Sequence, residues 1–195
     1  MKVTLASSNK GKLAEFQQLL SGLNFDVVPQ SEFQVPDAIE NGLSFVENAI
    51  IKARHASKLT GLPAIADDSG LEVDFLNGAP GIYSSRFSGE NATDEKNNQR
   101  LLSLLQEVEE NERTARFQCL LVYMRHPEDP TPIICQGTWE GLITLSPDGE
   151  NGFGYDPLFY IPEFGCTSAQ LEKTQKNKVS HRGKAMAQLL EKLSR

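Results

Sequence analysis

An α/β fold is what this 195-residue sequence predicts, and three observations carry that expectation. Stretches with two-residue apolar alternation take turns along the chain with stretches of helical period. No internal repeat or low-complexity linker interrupts the series. The 39% hydrophobic content over this length is enough to bury the core of one compact unit. A mixed sheet flanked by helices, spanning residues 1–195 as a single domain, is the simplest assembly of such elements.

Residues 3–6 read as a short buried strand, followed by the polar loop Ser7-Ser8-Asn9-Lys10-Gly11 and a helix with Leu13, Phe16, Leu19 and Leu20 on one face. A second helix begins after Ser44, whose hydroxyl can cap it while Glu47 completes a capping box. Phe45, Ala49, Ile50, Ala53 and Ala56 line it until Gly61 and Pro63 end it. Ala64-Ile65-Ala66 reads as a buried strand ending in Asp67-Asp68-Ser69-Gly70, and Leu71, Val73 and Phe75 alternate in a further strand. Thr93, with Asp94 and Glu95 in the first turn, opens a helix carrying Leu101, Leu102, Leu104, Leu105 and Val108. Ala115, Phe117, Cys119, Leu121 and Tyr123 alternate in a long strand, with 133–139 and 142–145 as neighbouring strands before the Pro147-Asp148-Gly149 turn. Ser180 caps a last helix that turns Ala185, Met186, Leu189, Leu190 and Leu193 inward.

Charge excludes several partners. Lys and Arg total 19 against 26 Asp and Glu, and a net charge of −7 does not suit a surface that grips nucleic-acid backbone or anionic lipid. Any phosphate must therefore meet local positive charge. Cys119, Cys135 and Cys166 are odd in number and widely spaced, which fits neither a disulfide framework nor a CxxC metal site and implies a reducing compartment. The apolar run at the start is too short for a signal peptide and no stretch approaches membrane-spanning length, so a cytoplasmic location is expected.

Five groups of residues can carry chemistry. Ser7 to Lys12 lie between a strand and a helix N-terminus, where unsatisfied backbone N–H groups and the helix dipole favour an anion. This is not a Walker A loop, because Leu13 follows the Gly11-Lys12 pair and the earlier glycine is missing. Asp67 and Asp68 are expected at a strand end facing a crevice, with Glu40 in a glycine-containing loop upstream, and three carboxylates suit Mg²⁺ better than a soft metal. An ordinary turn explains the same Asp-Asp-Ser-Gly string. Lys52, in the middle of the second helix, either points to solvent or reaches into that crevice. Asn151-Gly152-Phe153-Gly154-Tyr155-Asp156-Pro157 combines glycines that allow close backbone approach with two aromatics able to stack on a base. His181 and Arg182 open the last helix against its dipole, which points to a ligand there.

Taken together, Ser8-Asn9-Lys10-Gly11-Lys12, Glu47-Asn48-Ala49, Lys52-Ala53, Ala66 to Gly70, Gly78 to Ser84, Phe153 to Pro157 and Ser180 to Gly183 resemble the inosine triphosphate pyrophosphatase family in order and spacing. The resemblance covers nearly the whole chain. It implies a long curved mixed sheet in two lobes enclosing a cleft, a homodimer, and Mg²⁺-dependent hydrolysis between the α and β phosphates. The expected substrates are inosine, deoxyinosine and xanthosine triphosphates, removed from the nucleotide pool before incorporation into DNA or RNA. The triphosphate falls to Ser7, Ser8, Asn9, Lys10, Gly11, Lys12, Lys52 and Lys176, and the metal to Glu40 and Asp68. Asp68 is the implied general base, supported by Asp67, with Lys52 beside them and Ser69 a substrate contact. Phe153, Gly154, Tyr155, Asp156, His181 and Arg182 form the implied base pocket. The family commonly starts its phosphate loop with Thr-Gly-Asn, whereas here Ser7 keeps the hydroxyl and Ser8 replaces the glycine. Two further readings remain: a pyrophosphatase acting on pyrimidine or modified-base triphosphates, and a nucleotide-binding protein without turnover. The acidic pair counts against the second, since carboxylates beside a triphosphate repel it unless a metal or water chemistry uses them.

Overall fold

The computed structural model describes residues 1–7, 10–20 and 25–194. Its strands are β1 (Lys2–Leu5), β2 (Asp26–Pro29), β3 (Ala64–Val73), β4 (Thr114–Met124), β5 (Ile133–Ile143), β6 (Phe159–Ile161) and β7 (Cys166–Thr167). They form one seven-stranded sheet in the order β2-β1-β3-β4-β5-β6-β7. β1 runs parallel to both β2 and β3, while β6 is antiparallel to β5 and β7, so the sheet is mixed as expected. The flanking helices are α1 (Lys10–Leu20), α2 (Phe45–Thr60), α3 (Asp94–Leu105), α4 (Lys173–Val179) and α5 (His181–Leu193).

The chain divides into two compact units. The first comprises Met1–Asp68, Cys119–Gly137 and Lys184–Arg195, and the second Ser69–Gln118 and Thr138–Gly183. Each has its own core. In the first, Val3 and Leu5 of β1, Ile65 of β3 and Leu121 of β4 pack with Phe16 and Leu20 of α1 and with Ala185, Met186 and Leu189 of α5. Phe16 and Leu20 are essentially inaccessible, and burying side chains of this size contributes roughly 1.5–3 kcal/mol each. In the second, Leu71, Val73, Phe117, Trp139, Ile143 and Phe159 from the sheet pack with Leu101 and Leu105 of α3 and with Tyr155 and Leu158.

Local chemistry sets the helix ends. The Ser44 hydroxyl accepts the Glu47 N–H, and the Glu47 carboxylate accepts from the Leu43 N–H and the Ser44 hydroxyl, closing the expected box one residue early. Gly61 then stops α2 in the left-handed conformation at φ 69°, with its N–H on the Ser57 carbonyl. At α3 the Thr93 hydroxyl accepts the Lys96 N–H. At α5 the Ser180 hydroxyl accepts the Gly183 N–H.

Two expected breaks in the sheet are absent. Asp67 to Gly70 are not a turn at a strand end: β3 runs without interruption from Ala64 to Val73, and Phe75 lies in a 3₁₀ turn instead. Likewise 133–139 and 142–145 are not separate strands, because β5 is continuous through Glu140 and Gly141 to Ile143. Gly141 explains the second case. A Cβ there would stand 2.5 Å from the Tyr160 carbonyl and 2.6 Å from the Phe159 ring, so a residue read as punctuation is a point of close contact with β6. The short strands β2, β6 and β7 and the seven-residue α4 lack a sufficient run of either period to be read from sequence.

Gly141→Ala is expected to cost roughly 1–3 kcal/mol, the usual range for overpacking. A urea denaturation midpoint equal to that of the unmodified protein would show that β6 yields at no cost.

Candidate active site

In the first unit, Ser7 sits half-buried just past the end of β1, and Lys12 is in the first turn of α1. Ser8 and Asn9 lie outside the described residues, and Lys10 and Gly11 are described as backbone only. Lys12 Nζ pairs at 2.8 Å with Oδ2 of Asp67, whose side chain is completely buried.

Lys52 is not a solvated helix lysine. Its ammonium donates to the Asp67 carbonyl at 2.9 Å and stands 3.3 Å from Glu40 Oε1 and 3.9 Å from Asp68 Oδ1. The loop carrying Glu40 is tied to α2 by the Gly42 N–H, which donates to Asn48 Oδ1, and by the Leu43 N–H on Glu47. A Cβ on Gly42 would stand 2.7 Å from both Asn48 Oδ1 and Glu47 Cβ, which is why that loop needs a glycine. Ser7, Gln30, Asp37, Glu40 and Lys52 line a cavity of about 130 Å³.

Burial opposes the charge on Lys52, but Asp67, Glu40 and Asp68 outweigh it and hold the ammonium above its ordinary value. Asp68 responds in the opposite sense. Burial pushes its carboxyl from 3.8 up to about 6; Lys52 and the Asn48 side chain pull it down, while Glu40 and Asp67 add to the rise. One ammonium serves three negative neighbours, so Lys52 gains from all of them and Asp68, at 3.9 Å, receives only a share. Asp68 Oδ2 is buried and accepts no hydrogen bond among the described residues.

The expected three-carboxylate cluster is not formed: among the described residues, no three His, Cys, Asp or Glu side chains converge at metal-binding separation. Asp67 and Asp68 are consecutive on an extended strand, which turns successive side chains to opposite faces, and Asp67 is occupied by Lys12. Glu40 and Asp68 remain as a pair flanking Lys52. Such a pair fits Mg²⁺, which takes one or two protein carboxylates and completes its shell with water and phosphate oxygens. The unpaired Oδ2 of Asp68 is a donor atom suited to it.

In the second unit, Asp156 is the centre of a buried cluster. Its Oδ1 accepts from the Ser168 hydroxyl at 2.5 Å, and its Oδ2 from Lys176 Nζ at 2.5 Å and from the Phe153 N–H at 2.8 Å. Gly152, at φ 81°, leaves room for that carboxylate, because a Cβ there would stand 2.1 Å from Oδ2. The Phe153 ring is 45% exposed, with Lys176 Nζ 5.6 Å and Arg182 Cζ 5.8 Å from its centroid. Lys176, assigned to the triphosphate by resemblance, is thus bound into the aromatic loop.

Only one of the two expected stacking rings is exposed. Tyr155 is 4% exposed, belongs to the second core and donates its hydroxyl to the Ser84 carbonyl. Burial, reinforced by Asp94, pushes its phenol well above the ordinary range. The His181 ring is buried and stacks on Phe117 at 4.8 Å and on Trp139 at 6.4 Å. Ser69 is half-buried in β3. Sequence reasoning missed Ser168 and the Asn48 tie to Gly42. Asn48 lies within a quoted motif, whereas nothing local to Ser168 signals a partner twelve residues upstream.

The Ham1 family profile matches residues 3–192. A dITP/XTP pyrophosphatase of Vibrio cholerae serotype O1 is 60% identical over 188 residues, covering 96% of this chain and 94% of that protein. One from Escherichia coli O157:H7 is 58% identical over 192 residues, covering 98% of each. Among solved structures, a HAM1 protein from Coxiella burnetii superposes with a TM-score of 0.94 at 52% identity, covering 100% of this chain and 98% of that one.

The raised carboxyl of Asp68 has a measurable consequence in metal-free buffer. With a folded value of about 6 against 3.8, the folded state holds the proton more tightly than the unfolded chain. The stability linked to this group is therefore present below 3.8 and is lost as pH rises to about 6. Asp68→Asn should accordingly be more stable than the unmodified protein at about pH 7.5, with the difference vanishing below about pH 4. Denaturation in the presence of chelator checks this, and equal midpoints at both pH values would contradict it.

Proposed function

Since the chain belongs to the Ham1 family, we propose that it hydrolyses non-standard purine nucleoside triphosphates, those of inosine, deoxyinosine and xanthosine, to the monophosphate and pyrophosphate. Removal of these nucleotides from the pool keeps their bases out of DNA and RNA. Relatives that share 58–60% of its residues are named dITP/XTP pyrophosphatases. Asp68 is the single observation that carries the reading: a buried carboxylate with one unpaired oxygen, raised to about 6 and held beside a lysine.

A nucleoside triphosphate has two chemically distinct ends, the phosphates and the base. In the first unit, Lys12 and Lys52 supply positive charge for the phosphates, and Ser7 a hydroxyl. Glu40 and Asp68 would hold Mg²⁺, which would supply Lewis-acid stabilisation of charge on the phosphate oxygens. Asp68 takes a proton from the attacking water, its carboxylate lying beside the Lys52 ammonium at the same site. Lys52 steadies Asp68 and Glu40 through its bond to the Asp67 carbonyl, and Lys12 holds Asp67.

In the second unit, Phe153 offers a stacking face with two cationic groups beside it. The Arg182 guanidinium supplies donors for the 6-keto oxygen shared by hypoxanthine and xanthine, where adenine carries an amino group that would set donor against donor. A site built on hydrogen bonds rejects such a mismatch strongly, because its own buried groups are left unpaired. A homodimer in the cytoplasm completes the proposal. The odd number and wide spacing of the three cysteines support the compartment, and the family resemblance supports the dimer.

Pyrophosphate release from inosine triphosphate with Mg²⁺ tests the reading directly, and full turnover in excess chelator would remove the metal from it. Asp68→Asn should lose at least about a hundredfold in kcat with a much smaller change in KM, as for a group acting mainly in the transition state. Near-normal kcat in that variant would take Asp68 out of the mechanism. The kcat/KM for inosine or xanthosine triphosphate should exceed that for adenosine triphosphate by at least about a hundredfold. Arg182→Ala should reduce this preference more than it weakens triphosphate binding in general. Comparable rates on inosine and adenosine triphosphates would overturn the substrate class.

A further inference from the structure

Phe153 is not packed into the second core, so packing does not fix the direction of its ring. Its neighbours Gly152 and Gly154 both have positive φ, 81° and 64°, and a backbone of this kind has little stiffness of its own. The ring must be aimed by ties on the main chain. One is the Phe153 N–H on Asp156. The others come from outside the loop and outside every motif that carries the family resemblance: the Gly154 N–H donates to Asp94 Oδ2 at 2.7 Å, and the Gly154 carbonyl accepts from Asn98 Nδ2 at 2.9 Å.

Asp94 and Asn98 are one turn apart on α3, the spacing that places two side chains on the same helix face. They take both hydrogen-bonding groups of a single residue. The bracket itself is anchored. Between them Asn97, 3% exposed, donates to the Ser84 and Ser85 carbonyls and accepts the Ser88 N–H. The Ser84 carbonyl also accepts the hydroxyl of Tyr155, the residue after Gly154. A Cβ at Gly154 would meet nothing within 4 Å, so the glycine serves its φ rather than a close contact, and the side chains of α3 provide the missing restraint.

We propose that Asp94 and Asn98 are positioning residues for base selection, holding Gly154 so that Phe153 presents its ring at the angle a purine needs. This rests on the reading of Phe153 as the base platform. Neither residue touches the nucleotide in this scheme; both act through the loop. The bond to Asp94 is exposed and the bond to Asn98 half-buried, so losing them trades protein partners for water and leaves the fold in place. Loss of ring alignment is what remains to be read.

The test compares Phe153→Ala, the Asp94→Ala/Asn98→Ala double variant and Asp94→Asn in steady-state assays with inosine triphosphate, together with product inhibition by inorganic pyrophosphate. Phe153→Ala should raise KM about tenfold or more, in line with the loss of a base–aromatic stack. The double variant should raise KM about fivefold or more, change kcat less, and leave pyrophosphate inhibition within about twofold. Asp94→Asn retains a side-chain oxygen for the Gly154 N–H and should stay within about twofold on both measures, which separates the bond from the charge. An unchanged KM in the double variant beside a raised KM in Phe153→Ala overturns the positioning role alone. A parallel loss of pyrophosphate inhibition in the double variant also overturns it, since a general structural defect would do the same. An unchanged KM in Phe153→Ala overturns the platform and the positioning role together.

Discussion

The first unit depends on the placement of one ammonium group. Lys52 is mostly buried, and a buried ammonium is tolerated only where opposite charge and acceptors surround it. Here they are the Glu40 carboxylate, the Asp68 carboxylate and the Asp67 carbonyl. The dependence runs both ways. Without Lys52, Asp68 and Glu40 would face each other with no cation between them, and the carboxyl of Asp68, already raised by burial, would rise further. The capping of α2 and the Gly42–Asn48 tie serve this arrangement, because α2 carries Lys52 and the loop carries Glu40.

The second unit solves a similar problem with the signs reversed. Its hub is an anion, Asp156, and the three groups around it are Ser168, Lys176 and the Phe153 N–H. Buried carboxylates are stable when such donors saturate them. Asp68, by contrast, is left unsatisfied on one oxygen. That difference separates a carboxylate that builds a loop from one available for chemistry, although both are nearly inaccessible. Burial alone would not have distinguished them.

What could be read from sequence follows the range of the interaction. The Ser44–Glu47 box, the Thr93 and Ser180 caps and the Gly61 stop all act within a few residues, and each is present. Residues 67–70 were unreadable for the opposite reason. Asp, Ser and Gly are turn formers in isolation, but in β3 the neighbouring strands and the Lys12 pairing of Asp67 override that local preference. Lys52 was ambiguous because a helical position does not say which face is buried. Ser168, Asp94 and Asn98 were invisible because each acts on a residue 12 to 60 positions away through a single hydrogen bond. Joint motif order was informative about Asp156 and Phe153, whereas the residues that hold them needed coordinates.

Selectivity can arise only from what differs between nucleotides. The triphosphate is common to every nucleotide, so in the proposed reading Lys12, Lys52, Glu40 and Asp68 meet right and wrong substrates alike and do not discriminate between them. Discrimination must come from groups that meet the base, and Phe153, the proposed base platform, is mounted on a loop with two positive-φ glycines. A floppy mount would let the Phe153 ring settle on adenine as readily as on hypoxanthine, since a flexible surface re-packs around whatever enters. The mount is instead tied at three consecutive points, the Phe153 N–H, the Gly154 N–H and the Gly154 carbonyl, to side chains from two different parts of the chain. In the proposed reading, rigidity at this loop holds the base in one place, which is what lets hydrogen-bond donors at its edge reject a purine that differs by one amino group.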